Sequence, residues 1–221
     1  MIAKALSLFK KDFHSELRTR YAINSLAMFI IVAISIILFA VGQEKVSEGL
    51  TGGLFWVVIF FTAMSGLSRA FVSEEERGTS LTLQLVAAPS TVFSGKLLFN
   101  VILVFCMNTI IALLYAALFE SFVINNFGLF LLSFVFGNIG LAISSTIIAA
   151  IIAKAGAKGT LYPVLSFPIL LPLILSSVQL TLFSIDGTTI ENAKFELAIV
   201  VSYDVIMLTA SYLLFDFIWK E

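Results

Sequence analysis

Six long apolar stretches alternate with short polar connectors along the 221-residue chain. They run Ala22–Val41, Leu50–Leu67, Leu97–Phe119, Phe127–Ala153, Leu161–Phe183 and Leu197–Trp219. A helix rises about 1.5 Å per residue and needs about 20 mostly apolar residues to cross the hydrocarbon core. The spacing therefore predicts an all-α membrane protein with six transmembrane helices in one domain, residues 1–221. The first five stretches contain no Asp, Glu, Lys, Arg or His. The first has an apolar core of 20 residues, longer than the about 7–15 of a cleaved signal peptide, and is read as a permanent anchor.

The connectors carry the chemistry. Residues 1–21 place Ile2, Leu6, Phe9, Phe13 and Leu17 every three or four positions, with Lys10, Lys11, Glu16 and Arg18 largely on other faces. That pattern predicts an amphipathic helix lying in the membrane interface. Between spans two and three lies a polar interval, Arg69–Lys96. Span two is expected to continue as helix through Arg69 and Phe71. Gly78 follows Glu74, Glu75, Glu76 and Arg77, a position where glycine ends a helix in the left-handed conformation. Thr79 or Ser80 is expected to cap a short new helix, with Leu81 and Leu85 spaced i, i+4 on one face. Pro89 ends it, and Ser90 or Thr91 is expected to cap the helix into span three. The result is a short helix across one mouth of the bundle, joined rigidly to two spans.

Composition and charge sharpen this. The chain is 60% hydrophobic and 12% charged, against about 45–50% and about 25% in soluble domains, so lipid is its solvent. A net charge of −1 argues against nucleic acid, which needs clustered cations. With the N-terminus inside, eleven of the 13 basic residues fall on the inner side and only Lys45 and Lys194 outside. That split predicts cytoplasmic termini and a cytoplasmic Arg69–Lys96 loop. Gly95-Lys96 resembles the end of a phosphate-binding loop, but Ser90 and Leu97 stand where such a loop needs Gly and Ser or Thr. ATP would have to be hydrolysed by another subunit.

The run ERGT, Pro89 ten residues beyond Thr79, and Gly95-Lys96 resemble type-2 ABC transporter permeases. The full set, KDFHSELRTRY, GLSRAFVSEEERGT, APSTVFSGKLLFN, FGNIGLAISS, YPVLSFPILLPLILSS and YDVIMLTASYLLFDF, is similar in order and length to the CcmB family, the haem-exporter permease of cytochrome c maturation. The resemblance implies a multi-pass subunit of the bacterial inner membrane. Two copies would associate with two copies of a CcmA-like ATPase and work with CcmC, CcmD and the haem chaperone CcmE. It also implies that Glu74, Glu75, Glu76, Arg77, Gly78, Thr79, Leu81 and Leu85 belong to the element that engages the ATPase. The alternative is a permease of another type-2 exporter carrying a lipid, drug or glycan. No His, Cys or carboxylate constellation within the spans suggests an enzyme or a metal centre.

Haem is expected to be handled by the complex rather than ligated here. The single histidine, His14, falls in the N-terminal helix, and no span offers an axial histidine. Within the spans, Asp204 is the outlier, because a carboxylate in hydrocarbon costs about 2.5–3.5 kcal/mol and must face the bundle or water. Asn100, Asn108 and Asn138 are expected to bond across helices, and Gly137, Gly140 and Ser144 to permit close approach within the chain or to a second copy. Pro163, Pro168 and Pro172 make span five a candidate hinge, with a kink or break expected where Pro168 and Pro172 lack the N–H of the helix ladder.

Overall fold

Hydrocarbon leaves a backbone no partner but itself, so every long apolar stretch here folds as a helix. The computed structural model describes residues 2–42, 47–67, 71, 74, 78–154 and 161–220. Its helices are α1 (Ile2–Thr19), α2 (Tyr21–Val41), α3 (Glu48–Leu67), α4 (Ser80–Val86), α5 (Pro89–Leu118), α6 (Phe127–Lys154), α7 (Leu161–Ile185) and α8 (Lys194–Lys220). Six of them, α2, α3 and α5–α8, are long and apolar enough to cross a membrane. All six expected spans are present. The chain is a multi-pass membrane protein.

The third span begins at Pro89, eight residues before the expected Leu97. The apolar stretch proper starts after Lys96, whose ammonium does not belong in hydrocarbon, although a helix capped at Ser90 or Thr91 already contains it. Lys96 is inside the helix because it is paired there, as described below. With 30 residues, α5 is about 45 Å long and projects beyond the hydrocarbon at one end. Ala88 takes the N-cap position with extended backbone, and Pro89 occupies the first turn, where a missing N–H costs nothing. Neither Ser90 nor Thr91 caps the helix as expected, because both lie within it.

The centre of the bundle is α6, which packs against α3, α5, α7 and α8. Its small residues let neighbours close in. A side chain at Gly137 would overlap the Trp56 ring on α3, and one at Gly140 would overlap the Asp204 carboxylate on α8. Ser144 shares a 2.8 Å hydrogen bond with the Tyr203 hydroxyl. The small-residue stripe therefore serves packing within the chain, not contact with a second copy. Asn residues tie α5 to α6 at two levels. The Asn100 amide donates to Thr146 Oγ1 at 2.8 Å, and that of Asn108 donates to Asn138 Oδ1. Both pairs obey one antiparallel register, so the expected cross-helix bonding of all three Asn residues is seen. Around them, Phe55, Tyr115, Phe122 and Phe130 form an edge-to-face and tilted aromatic group.

The N-terminal amphipathic helix has two working faces, of which the pattern revealed one. Leu6, Phe13 and Leu17 are exposed, as an interfacial stripe requires. Ala5, Leu8 and Asp12 instead turn toward the start of α5. There Gly95 lets the helices touch: a Cβ on it would lie 2.9 Å from Leu8 Cβ and 3.0 Å from the Ala5 carbonyl oxygen. A single residue, Arg20 at φ +50°, makes the corner into α2, and the Glu16 carboxylate accepts the Ile23 backbone N–H at 3.1 Å.

Candidate coupling site at the charged end of the bundle

Four charged groups from three parts of the chain meet beside the start of α5. Glu74 Oε1 accepts from Lys11 Nζ of α1 at 2.6 Å and from Lys96 Nζ of α5 at 3.1 Å. Lys96 also pairs with Asp12 Oδ2 of α1 at 3.0 Å. Glu74 and Lys96 are only 6% and 4% exposed. Two cations and two anions make the cluster neutral, which is the condition for burying it. Burial by itself raises the Glu74 carboxyl, but the Lys96 charge and the Lys11 and Thr79 hydrogen bonds outweigh it. Together they lower its pKa from the ordinary 4.5 to about 2. Phe71 closes the cluster from below, with Lys96 Nζ 5.7 Å from its ring centroid.

The segment leaving this cluster forms the short helix. Gly78 adopts φ +65°, the left-handed turn expected of it. Thr79 sits at the N-cap of α4 but makes no capping hydrogen bond. Its hydroxyl donates instead to Glu74 Oε2 at 2.5 Å. The cap expectation fails because Thr79 has helical backbone angles, φ −89° and ψ −7°, instead of the extended ones from which a side chain reaches back to the first N–H groups. One turn on, the Gln84 amide donates to the Trp219 carbonyl at 2.7 Å. It thereby satisfies one of the orphan carbonyls at the end of α8. Trp219 also stacks on Phe215 and meets Phe71 edge-on. Leu83 faces the core, while Leu85 is 89% and Val86 68% exposed. A seven-residue helix is too short to hold itself together in water; these anchors hold it.

The arrangement is a small helix bonded to α8 through Gln84 and linked through Thr79 and Glu74 to the ions of α1 and α5, with its apolar tip left bare. The CcmB protein family model matches residues 3–215. The chain belongs to the CcmB family. No curated protein matches it. Membership makes the chain a transmembrane permease subunit of the cytochrome c maturation, haem-export system, and not itself an ATPase. The match is to the haem-export family and not to a lipid, drug or glycan exporter family.

The CcmB-type loop residues divide by position. Glu74 points inward and is saturated, so it belongs to the frame of the site and not to its surface. Glu75, Glu76 and Arg77, and Arg69 in the expected extension of span two, lie outside the described residues; Phe71 is in a turn. Leu81 lies in α4, and Leu85 presents the bare tip. Lys11, Asp12, Lys96 and Gln84 were not singled out as partners of this loop by the sequence reading. The available signal was Lys96 itself: a cation within an apolar helix demands a carboxylate, and the loop and α1 hold the nearest ones.

Asp204 lies about 15 Å into α8, counting from Lys194. It faces the bundle, packed against Gly140 and buried, with neither carboxylate oxygen hydrogen-bonded among the described residues. The neighbouring Tyr203 hydroxyl donates to the Ile169 carbonyl at 3.0 Å and bonds Ser144. That one side chain joins α6, α7 and α8 beside the Pro168–Pro172 pair. The prolines do not break α7, which runs as one helix from Leu161 to Ile185. Pro163 falls in its first turn, where it is tolerated. His14 is on the exposed side of α1.

Proposed function

We propose that this chain is the membrane lever of an ATP-driven complex, with α4 as the element that a CcmA-like ATPase grips on the cytoplasmic side. The single observation that carries the reading is the bare Leu85–Val86 tip on a helix otherwise fastened down. A seven-residue helix bonded to α8 through Gln84, and joined at its N-terminal end through Thr79 to the Glu74 ion cluster, passes a push on to those partners. Displacing α4 moves Glu74 through Thr79, and Glu74 cannot shift without the buried Lys96, since separating buried opposite charges costs several kcal/mol; Lys11, whose side chain is 47% exposed, is held less tightly. The force therefore reaches α1 and α5 through ions and α8 through Gln84.

In this reading two copies of the chain work with two ATPase subunits. Hydrolysis serves haem export or release of haem-loaded CcmE, with CcmC and CcmD at the membrane. Haem and ATP are held by other parts of the complex. The lopsided distribution of Lys and Arg supports placing α4 and both termini in the cytoplasm of a bacterial inner membrane.

The test is purification in mild detergent with ATPase activity measured in the eluate. A nucleotide-hydrolysing subunit is expected to copurify. Replacing Gly78 and Thr79 with proline and valine is expected to leave that subunit bound or hydrolysing while cytochrome c yield collapses. If no nucleotide-binding subunit copurifies and those replacements leave the yield unchanged, the coupling reading is wrong.

A further inference from the structure

We propose that Asp204 is a proton-binding site in the middle of the bundle. It holds its proton while α8 lies against Gly140 and Leu173, and gives it to water when α8 leans away. The site stands on its own geometry and does not depend on the grip at α4.

Asp204 lies about 15 Å from one end of α8 and about 24 Å from the other. It is 7% exposed, and neither carboxyl oxygen has a hydrogen-bond partner among the described residues. Gly140 of α6 stands against Oδ1. The Leu173 methyl carbons of α7 close the same spot, 2.8 and 2.9 Å from the position a Cβ on Gly140 would take. The other buried charges described, Glu74 and Lys96, each have an opposite charge at hydrogen-bond distance. Buried amides are paired too, Asn100 with Thr146 and Asn108 with Asn138.

No cation takes that part for Asp204. α8 packs against α5, α6 and α7. The stretches Phe127–Ala153 and Leu161–Phe183 hold no Asp, Glu, Lys, Arg or His. Lys154, at the far end of α6, lies 5.9 Å from the Trp219 ring centroid. On α5, Lys96 belongs to Glu74 and Asp12, Cys106 is exposed, and Tyr115 sits among the Phe55 and Phe122 rings. The Tyr162 hydroxyl of α7 donates to the Ser145 carbonyl at 3.2 Å, and that of Tyr203 is spent on Ser144 and Ile169. Glu196, Tyr212 and Asp216 lie about 12, 12 and 18 Å along α8. An ion buried with no counter-charge is far costlier than a neutral acid, so the carboxyl takes a proton.

The packing that excludes water is thin. Gly140 presents no side chain to α8, and Val205 and Ile206 beside Asp204 face outward, 60% and 64% exposed. Polar groups continue on either side of the carboxyl. Ser177 Oγ lies 3.1 Å from the position of a Cβ on Gly137, one turn along α6 from Gly140. Ser211 follows seven positions on along the same face of α8. Both hydroxyls are buried without a hydrogen-bond partner among the described residues. They give water a polar route to Asp204 once the helices part. There the O–H bond breaks, the proton leaves on water and the carboxylate is hydrated.

The experiment is infrared difference spectroscopy of the purified complex in lipid, wild type minus Asp204→Asn, at neutral pH. Dicyclohexylcarbodiimide, which couples to protonated carboxyls in apolar surroundings, gives a second readout by mass spectrometry. A protonated C=O stretch that moves in heavy water is expected, with the label on Asp204. Carboxylate stretches in its place, with Asp204 unlabelled, would overturn the site. Gly140→Ala wedges a methyl group against the carboxyl, and Leu173→Ala opens room for water beside it without a wedge. Either change is expected to lower labelling of Asp204 several-fold and to replace the acid band with carboxylate bands. Acid band and labelling unchanged in both variants would overturn release by opening.

Discussion

Replacing Glu74 with glutamine removes the anion that both Lys11 and Lys96 share, and it tests the frame of the site directly. Breaking a buried pair by neutralising one member costs about 3–5 kcal/mol when the other is stranded. Lys96 is not wholly stranded, because Asp12 Oδ2 remains 3.0 Å away. The lowered carboxyl gives a second measure. A fall from 4.5 to about 2 corresponds to about 3 kcal/mol at 1.36 kcal/mol per unit, an upper limit for a group at the mouth of the bundle. The two agree on a loss of about 3 kcal/mol in the Glu74→Gln subunit, measured by unfolding in mixed micelles with increasing SDS. Because the folded pKa is depressed, this stabilisation is fully present above about pH 4.5 and is lost as pH falls toward about 2. Glu74→Gln should flatten that part of the pH profile. The Lys96→Met change, alone and combined with Glu74→Gln, completes a double-mutant cycle, and the double variant should lose clearly less than the two single losses together. A Glu74→Gln loss below about 0.5 kcal/mol, or strict additivity, would refute the ionic frame.

Four further outcomes are expected. Gly95→Leu should drive α1 off α5 and expose residues 1–19 to limited proteolysis, since even a Cβ there would lie 2.9 Å from Leu8 Cβ; an unchanged digestion pattern would contradict the close contact. Gly137→Ala should destabilise the subunit by about 1–3 kcal/mol, because the rigid Trp56 ring must move to admit a methyl group, read out by the same SDS unfolding. Asp204→Leu should lower cytochrome c yield through weakened assembly or maturation, and full yield would remove any role for that carboxylate. His14→Ala should leave the haem absorption spectrum of the purified complex unchanged, and a lost His-ligated signal would assign iron binding to this chain.

Hydropathy made the six spans readable because lipid imposes one rule on every residue of a span. What it could not show was which carboxylates neutralise Lys96. A cation reads as a span boundary until its partners are known, and those partners lie 22 and 84 positions away in Glu74 and Asp12. Asn100, Asn108 and Asn138 were recognisable as cross-helix donors, yet which Asn met which residue depended on the antiparallel register of α5 and α6. The spacing placed Leu81 and Leu85 on one face of the short helix; that Leu85 stands bare came from the structure. The inward turn of Glu74 was not, since a run of three glutamates between a span and a glycine reads as a solvated surface. Thr79 shows the same limit: residue type said cap, and a helical backbone at that position turned its hydroxyl to Glu74 instead.

The central claim, that an ATPase subunit seizes the tip of α4, is tested most directly by cross-linking from that tip. With Cys106→Ala as background, Leu85→Cys in native membranes should form a cross-linked species containing the chain and a nucleotide-binding subunit, and forming it should halt ATP hydrolysis. Labelling of Leu85→Cys by an impermeant reagent added outside intact cells, with no such species formed, would contradict the claim.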